Sequence, residues 1–142
     1  MAFEITRVDV WVAELVDRPG ALAEKLEGIM RAGANLDFMI ARRQPDKPGT
    51  SVVFVAPLHG PQQLRAAEDS GFTRARGLHS IRLVGPDRPG LGAGIAKTIA
   101  DANINIRGVS AAAVDDRCVF YIAFESDDDA RKAAQILTRT LA

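Results

Sequence analysis

Four residues with the makings of an anion cradle, Asp17-Arg18-Pro19-Gly20, recur as Asp87-Arg88-Pro89-Gly90, 70 residues further on. Each copy follows a β-rich run, Val8 to Val16 and Ile81 to Val84, and precedes a run with helical periodicity. A strand-to-helix turn exposes the N–H groups of a helix N-terminus. Together with the positive end of the helix dipole, these favour a carboxylate or a phosphate. Pro19 and Pro89 have φ preset near the helical value and no N–H to lose, which suits a first helical turn. Asp17 and Asp87 are placed to cap the helix by accepting from main-chain N–H groups. Gly20 and Gly90 lack a Cβ, so a ligand or another backbone can approach closely, and Arg18 and Arg88 add charged donors. The same turn is also ordinary helix punctuation, and a repeat preserves structural turns as well as functional ones.

Other chemistry finds little support. Cys118 is the only cysteine of the 142 residues, which excludes an intrachain disulfide and a thiolate metal cluster; in the run Cys118-Val119-Phe120 it reads as a core residue. His59 and His79 fall in expected loops without paired spacing, so no metal site is expected. Gly85, Gly90, Gly92 and Gly94 after a strand, with Asp115 and Asp116 after the next, faintly suggest a dinucleotide site. The glycine spacing is not Gly-x-Gly-x-x-Gly, however, and the strand at Ile106 turns straight back through Asp115-Asp116-Arg117 where a parallel sheet needs a crossover. No nucleophile sits near a base. The expectation is therefore a protein that is not an enzyme, with no cofactor. Formal net charge is zero, which argues against a general nucleic-acid binder. Phe120 and Tyr121 have no Lys or Arg beside them except Arg117, so they read as core rather than as RNA-stacking rings. The N-terminus carries Glu4, Arg7 and Asp9 and lacks a long apolar segment. It is expected to be neither a secretion signal nor a membrane span, with a cytoplasmic location.

The offset of 70 also carries Ile29 onto Ile99, Ala32 onto Ala102, Asn35 onto Asn105 and Leu36 onto Ile106. It slips to 67 at Val52 to Val55, which match Val119 to Ile122; the gap falls in the Gln44–Thr50 loop, where length changes are tolerated. This predicts two modules, 1–77 and 78–142. In the first, Phe3 to Leu15 reads as a strand that extends past the sheet or bends near Arg7. Ala21 to Ala32 is an amphipathic helix with Leu22, Leu26, Ile29 and Met30 inward and Glu24, Lys25, Glu27 and Arg31 outward. A hairpin of Leu36–Arg42 and Ser51–Ala56, a helix over Gln62–Ser70 and a strand over Gly71–Arg76 complete β-α-β-β-α-β, the ferredoxin-like order. In the second, Ser80–Val84, the helix Leu91–Ala102, the strands Ile106–Val114 and Cys118–Phe124 and a helix begun by a Ser126–Asp129 capping box follow the same order. No last strand follows. Bare sheet edges are usually paired or covered, so another segment or a second chain is expected to complete this one. Gly92 and Gly94 inside the third helix each cost about 1 kcal/mol against alanine, which points to close approach by a ligand or to tight helix–sheet packing.

The fold class expected is α+β: two antiparallel sheets, each with helices on one face. The stretches Val16–Leu36 and Pro86–Ile106, with the hairpins behind them, resemble the ACT domain family, twice over and across nearly the whole chain. The resemblance implies a tandem regulatory protein that binds an amino acid where modules meet. It implicates Asp17, Arg18, Pro19, Gly20, Ala21, Leu22 and Asn35, and in the second module Asp87, Arg88, Pro89, Gly90, Leu91 and Asn105. The carboxylate suits the N–H groups at Gly20-Ala21 or Gly90-Leu91, and the ammonium suits Asp17, Asn35 or strand carbonyls. The resemblance also implies allosteric control of a partner, a regulated enzyme or transcription regulator, by a homodimer or higher oligomer. No catalytic or DNA-binding domain accompanies the modules in this sequence. The competing expectation is a protein-interaction module without a ligand.

Overall fold

The computed structural model describes residues 2–141. Their elements in chain order are β1 (Glu4–Val8), β2 (Trp11–Val16), α1 (Ala21–Met30), β3 (Phe38–Arg43), β4 (Thr50–Ala56), α2 (Gly60–Asp69), β5 (Thr73–Arg74), β6 (His79–Pro86), α3 (Leu91–Asp101), β7 (Ile106–Val114), β8 (Arg117–Phe124) and α4 (Asp127–Leu141). They form two compact units. One is Asp9–Ala75; the other joins the residues up to Val8 to those from Arg76 onward.

The Asp9–Ala75 unit has the sheet order β3-β4-β2-β5, all pairs antiparallel. Trp11, Ala13 and Leu15 alternate inward along β2 and meet Val53 and Val55 of β4, Ile29 of α1, Ala67 of α2 and Phe72. Trp11 is a core residue whose ring lies under Arg74, with the guanidinium 5.4 Å from the centroid. Met30, expected inward, is 62% exposed because α1 ends on it. The last strand is shorter than expected: only Thr73 and Arg74 pair with β2.

In the second unit the sheet order is β1-β6-β8-β7. Ile81 and Leu83, Leu91, Ile95 and Ile99 of α3, Cys118, Ile122 and Phe124 of β8, and Ala130, Ala133 and Leu137 of α4 make the core. The Ser126 hydroxyl accepts from the Asp129 N–H at 3.1 Å, so the expected cap forms. His79, expected in a loop, begins β6 and sits opposite Phe124.

The single strand expected over Phe3–Leu15 is two strands in two sheets. β1 pairs antiparallel with β6, from Glu4 opposite Val84 to Val8 opposite Ser80. It fills the place of the missing last strand, so the division at 77/78 does not hold for the first eight residues. Arg7 fixes the strand by donating to Ser80 O at 3.3 Å and pairing with Asp127 at 2.7 Å. Each unit is thus a ferredoxin-like module, one of them closed by a strand from before the other begins.

Candidate functional site: two glycine-tipped turns

The repeated turns fold alike down to their hydrogen bonds. The Asp17 N–H donates to Gly49 O at 3.0 Å and the Asp87 N–H to Asp116 O at 2.8 Å, each tying the turn to the hairpin beside it. The Ala21 and Leu91 N–H groups reach back to Arg18 O and Arg88 O, both at 3.3 Å, and Glu24 and Gly94 close the first helical turns on Gly20 O and Gly90 O. Gly20 (φ 86°) and Gly90 (φ 80°) are the N-caps, both left-handed. That backbone favours glycine, and a Cβ would meet only Arg18 Nη1 at 3.8 Å in the first turn and nothing within 4 Å in the second. Both helix tips are open. The parallel continues at the far ends, where Gly33 (φ 86°) and Asn103 (φ 59°) end their helices and the Ala34 and Ile104 N–H groups donate to Ile29 O and Ile99 O.

Two expectations about these turns are corrected. Neither aspartate caps its helix, because glycine takes the N-cap position and no side-chain cap forms. Asp17 instead pairs with Arg43 Nε at 2.9 Å. Pro19 and Pro89 precede the caps rather than opening the helices, so their rigidity shapes the approach to the glycine.

The two arginines part company. Arg18 donates to Pro19 O at 3.1 Å and pairs with Glu24 Oε2 at 2.7 Å; the hydrogen bond to Glu24 holds that carboxyl below its usual value. Arg88 lies over the Phe3 ring, 5.5 Å from its centroid. Ala21 and Leu22 are half-buried in the first turn of α1, and Leu22 packs on the core. Leu91 is buried, so only its main chain faces outward. Asn35 and Asn105 are exposed, but they follow the opposite ends of α1 and α3. These helices have 10 and 11 residues, about 15 Å of rise. Within one module, turn and asparagine are not brought together. The Gly92 and Gly94 positions are not explained by packing: a Cβ at Gly92 would meet only Phe120 at 3.9 Å, and one at Gly94 nothing within 4 Å.

Beside the first turn lies a cleft of about 420 Å³ between β2 and the facing ends of α1 and α2, lined by Glu14, Leu15, Val16, Arg18, Ala21, Glu24, Lys25, Asp69 and Ser70. Of these, only Arg18 and Ala21 were expected at a site. Lys25, expected on the outer face of its helix, is half-buried and donates to Ser70 O at 2.8 Å, neutralising the C-terminal end of α2. The signal for this arrangement was Gly28, a glycine inside α1: a Cβ there would overlap Ser70 Oγ, so the two helices come close because Gly28 has none. Lys47 and, secondly, Gln44 hold the Glu14 carboxyl below its usual value. Burial, ahead of any other cause, pushes the Cys118 thiol up, in keeping with its place in the core. Among the described residues no group of three or more metal-ligating side chains occurs, and no helix is long and apolar enough to cross a membrane.

Residues 79–141, the β6-to-α4 segment of the second module, match the ACT domain family. Solved structures extend the likeness of fold to both modules. A protein of Bacteroides thetaiotaomicron superposes with a TM-score of 0.76 at 14% identity, over 96% of this chain and 90% of that one. The ligand-free regulatory subunit of aspartate kinase from Thermus thermophilus gives 0.67 at 16% identity, over 100% and 98% of the two chains. Aspartokinase III of E. coli, in complex with aspartate and ADP, gives 0.60 at 16% identity over 99% of this chain and 33% of that one. No curated protein matches by sequence.

Proposed function

We propose that this chain is an amino-acid sensor. Its two ACT-like modules bind a small amino acid at one or both glycine-tipped turns and control a partner in trans, an enzyme or a transcription regulator, from a cytoplasmic homodimer or higher oligomer. The observation that carries this reading is the repetition of an open, left-handed glycine N-cap in both modules, with matching hydrogen bonds on either side. Such a tip presents main-chain donors and positive potential to a carboxylate. The ACT domain match over residues 79–141 and the fold shared with an aspartate kinase regulatory subunit support a regulatory role. The proposed contacts are Asp17 to Leu22 and Asp87 to Leu91. Asn35 and Asn105, one helix length away, would serve a ligand held by the turn of another copy. Binding shifts the chain's conformation or assembly only so far as the ligand prefers one state.

A thermal-shift panel of the twenty amino acids, with nucleotides as controls, tests this. A ligand at about 100 times its Kd adds roughly 2.7 kcal/mol of stability, and stabilisation by one amino acid without turnover is the expected result. The second reading, an interaction module without a ligand, draws on β7. It is a nine-residue edge strand with no charge or proline from Gly108 to Val114, and Val109 and Val114 are exposed on it. If no amino acid or nucleotide moves the melting temperature while the chain self-associates through β7, that reading prevails.

A further inference from the structure

The cleft beside β2 exists because β5 stops early. β5 pairs with β2 only at Trp11 opposite Arg74 and Val12 opposite Thr73, and the Ala75 N–H donates to Val10 O at 2.8 Å. Main-chain groups of successive residues face alternate edges of a strand. Val10, Val12, Glu14 and Val16 therefore direct their N–H and C=O toward the β5 edge. The complementary set faces β4, as the Asp17 N–H on Gly49 O confirms. A longer β5 would set Gly71 against Glu14; instead Gly71 is left-handed and belongs to the end of α2. Among the described residues the Glu14 N–H and C=O and the Val16 N–H have no main-chain partner, while Val16 O accepts from the Arg18 N–H at 2.9 Å.

Two walls of opposite polarity flank this bare edge. On one side stand Arg18 and Ala21 at the start of α1; on the other stand Asp69 and Ser70 at the C-terminal end of α2, where carbonyl groups gather. Lys25 lies between them, and its contact with Ser70 O leaves further N–H donors on the ammonium. The other carboxylates of the lining are engaged, Glu14 by Lys47 and Gln44 and Glu24 by Arg18. Asp69 makes no ion pair among the described residues.

We infer that this cleft is a binding site for a small zwitterion bearing an α-ammonium and a carboxylate, a free amino acid or a dipeptide. The carboxylate sits toward Arg18, Lys25 and the Val16 N–H; the ammonium sits toward Asp69 and Glu14 O. β5 blocks the strand edge at one end and the turn at Arg18 closes it at the other, so a longer extended peptide is excluded. The inference rests on the amino-acid-sensor reading. It adds Glu14, Lys25 and Asp69 to the first module's proposed contacts.

The test is an NMR titration of the full chain with free L-amino acids and with glycylglycine, using acetate and methylamine as half-ligands. The Glu14, Val16, Lys25 and Ser70 amides shift and saturate with a zwitterion, and far more weakly with either half. Asp69→Asn, on an exposed helix end, and Val16→Pro, which removes an edge N–H, each weaken binding by about tenfold or more, while Lys97→Ala, exposed on α3 of the other unit, leaves it unchanged. Saturation by glycylglycine alone identifies the occupant as a dipeptide; saturation by an amino acid alone identifies the free form. If Val16→Pro disturbs the fold, Asp69→Asn decides. Should an amino acid shift amides around Gly90 only, with Asp69→Asn binding normally, the cleft is overturned and the sensor stands. Should no zwitterion shift any amide at millimolar concentration, both readings fail.

Discussion

The Phe3 ring occupies the space where a Cβ of Gly85 would stand, on the facing strand of the β1–β6 pair. An aromatic laid across a strand glycine supplies the packing that the glycine lacks. Here the same ring also carries Arg88 of the second turn. One side chain thus ties the added strand to β6 and to the expected ligand-binding loop. Gly85→Ala forces the ring aside and costs about 1–3 kcal/mol. Phe3→Ala costs about 1–2 kcal/mol, less than a fully buried phenylalanine. Because the clash needs both side chains, the double variant loses less than the sum, which denaturant unfolding of the four species measures. Additive losses would show that the ring does not depend on the glycine.

Removing residues 2–8 bares the β6 edge and uncovers Ile81 and Leu83, which Ile5 and Phe3 help to cover. The shortened chain is expected to lose several kcal/mol in the unit it leaves behind and to aggregate through the open edge. A chain of residues 76–141 with residues 2–8 rejoined after α4 restores the sequential strand order and is expected to fold alone. Size-exclusion chromatography and thermal unfolding of the two chains decide the matter: equal behaviour would mean that β1 is dispensable.

Gly28 and Ser70 form the closest approach of α1 to α2. Gly28→Ala gains about 1 kcal/mol of helix propensity but pushes a methyl group into Ser70 Oγ, so a net loss is expected. Ser70→Ala in the same chain removes the offending oxygen and leaves the new methyl 3.3 Å from the Ser70 Cβ position. Most of the loss should return. Melting temperatures of the single and double variants give the answer; a Gly28→Ala chain as stable as the parent would mean the helices can slide apart freely.

Acid should loosen specific surface ties before it unfolds the core. The Glu14, Glu24 and Asp128 carboxyls are lowered, first by hydrogen bonds from Lys47, Arg18 and Lys132 respectively. A lowered folded pKa stabilises the fold above the unfolded value, near 4, and the benefit is lost as pH falls through the folded value. All three groups are exposed, so each effect is small and shrinks with salt. Carbon-detected titration of these carboxyls should give midpoints below the ordinary values at low ionic strength. Midpoints at the ordinary values would place these ion pairs in free exchange with water.

Much of this molecule can be read from its residues. Helical spacing found α1, α3 and α4, the Ser126–Asp129 cap was placed correctly, and the 70-residue echo located turns that prove alike in backbone as well as in letters. The change of sheet between Val8 and Trp11 was hidden for a physical reason. Ile5 packs inward on one sheet and Trp11, Ala13 and Leu15 on the other; the alternation breaks between them, where Arg7 and Asp9 are exposed and Val10 is buried, and in the sequence such a break reads equally as a bend in one strand. The cleft was hidden because it is made by a strand that stops early and by Lys25, whose place on its helix looked solvent-facing. Periodicity assigns a residue to a face; it does not say that the end of a neighbouring helix will be waiting there.

The Glu4–Val8 segment is made before the Asp9–Ala75 unit, yet its partner β6 is made only after that whole unit has been synthesised. That unit contains all four of its own strands and can close while the ribosome is still working. The Glu4–Val8 strand is thus among the last to find its place, and the unit folded in between lengthens the loop that must be closed to finish the second sheet. Until Ile5 meets Leu83, the Glu4–Val8 segment is an unpaired, strand-forming stretch open to the wrong edge.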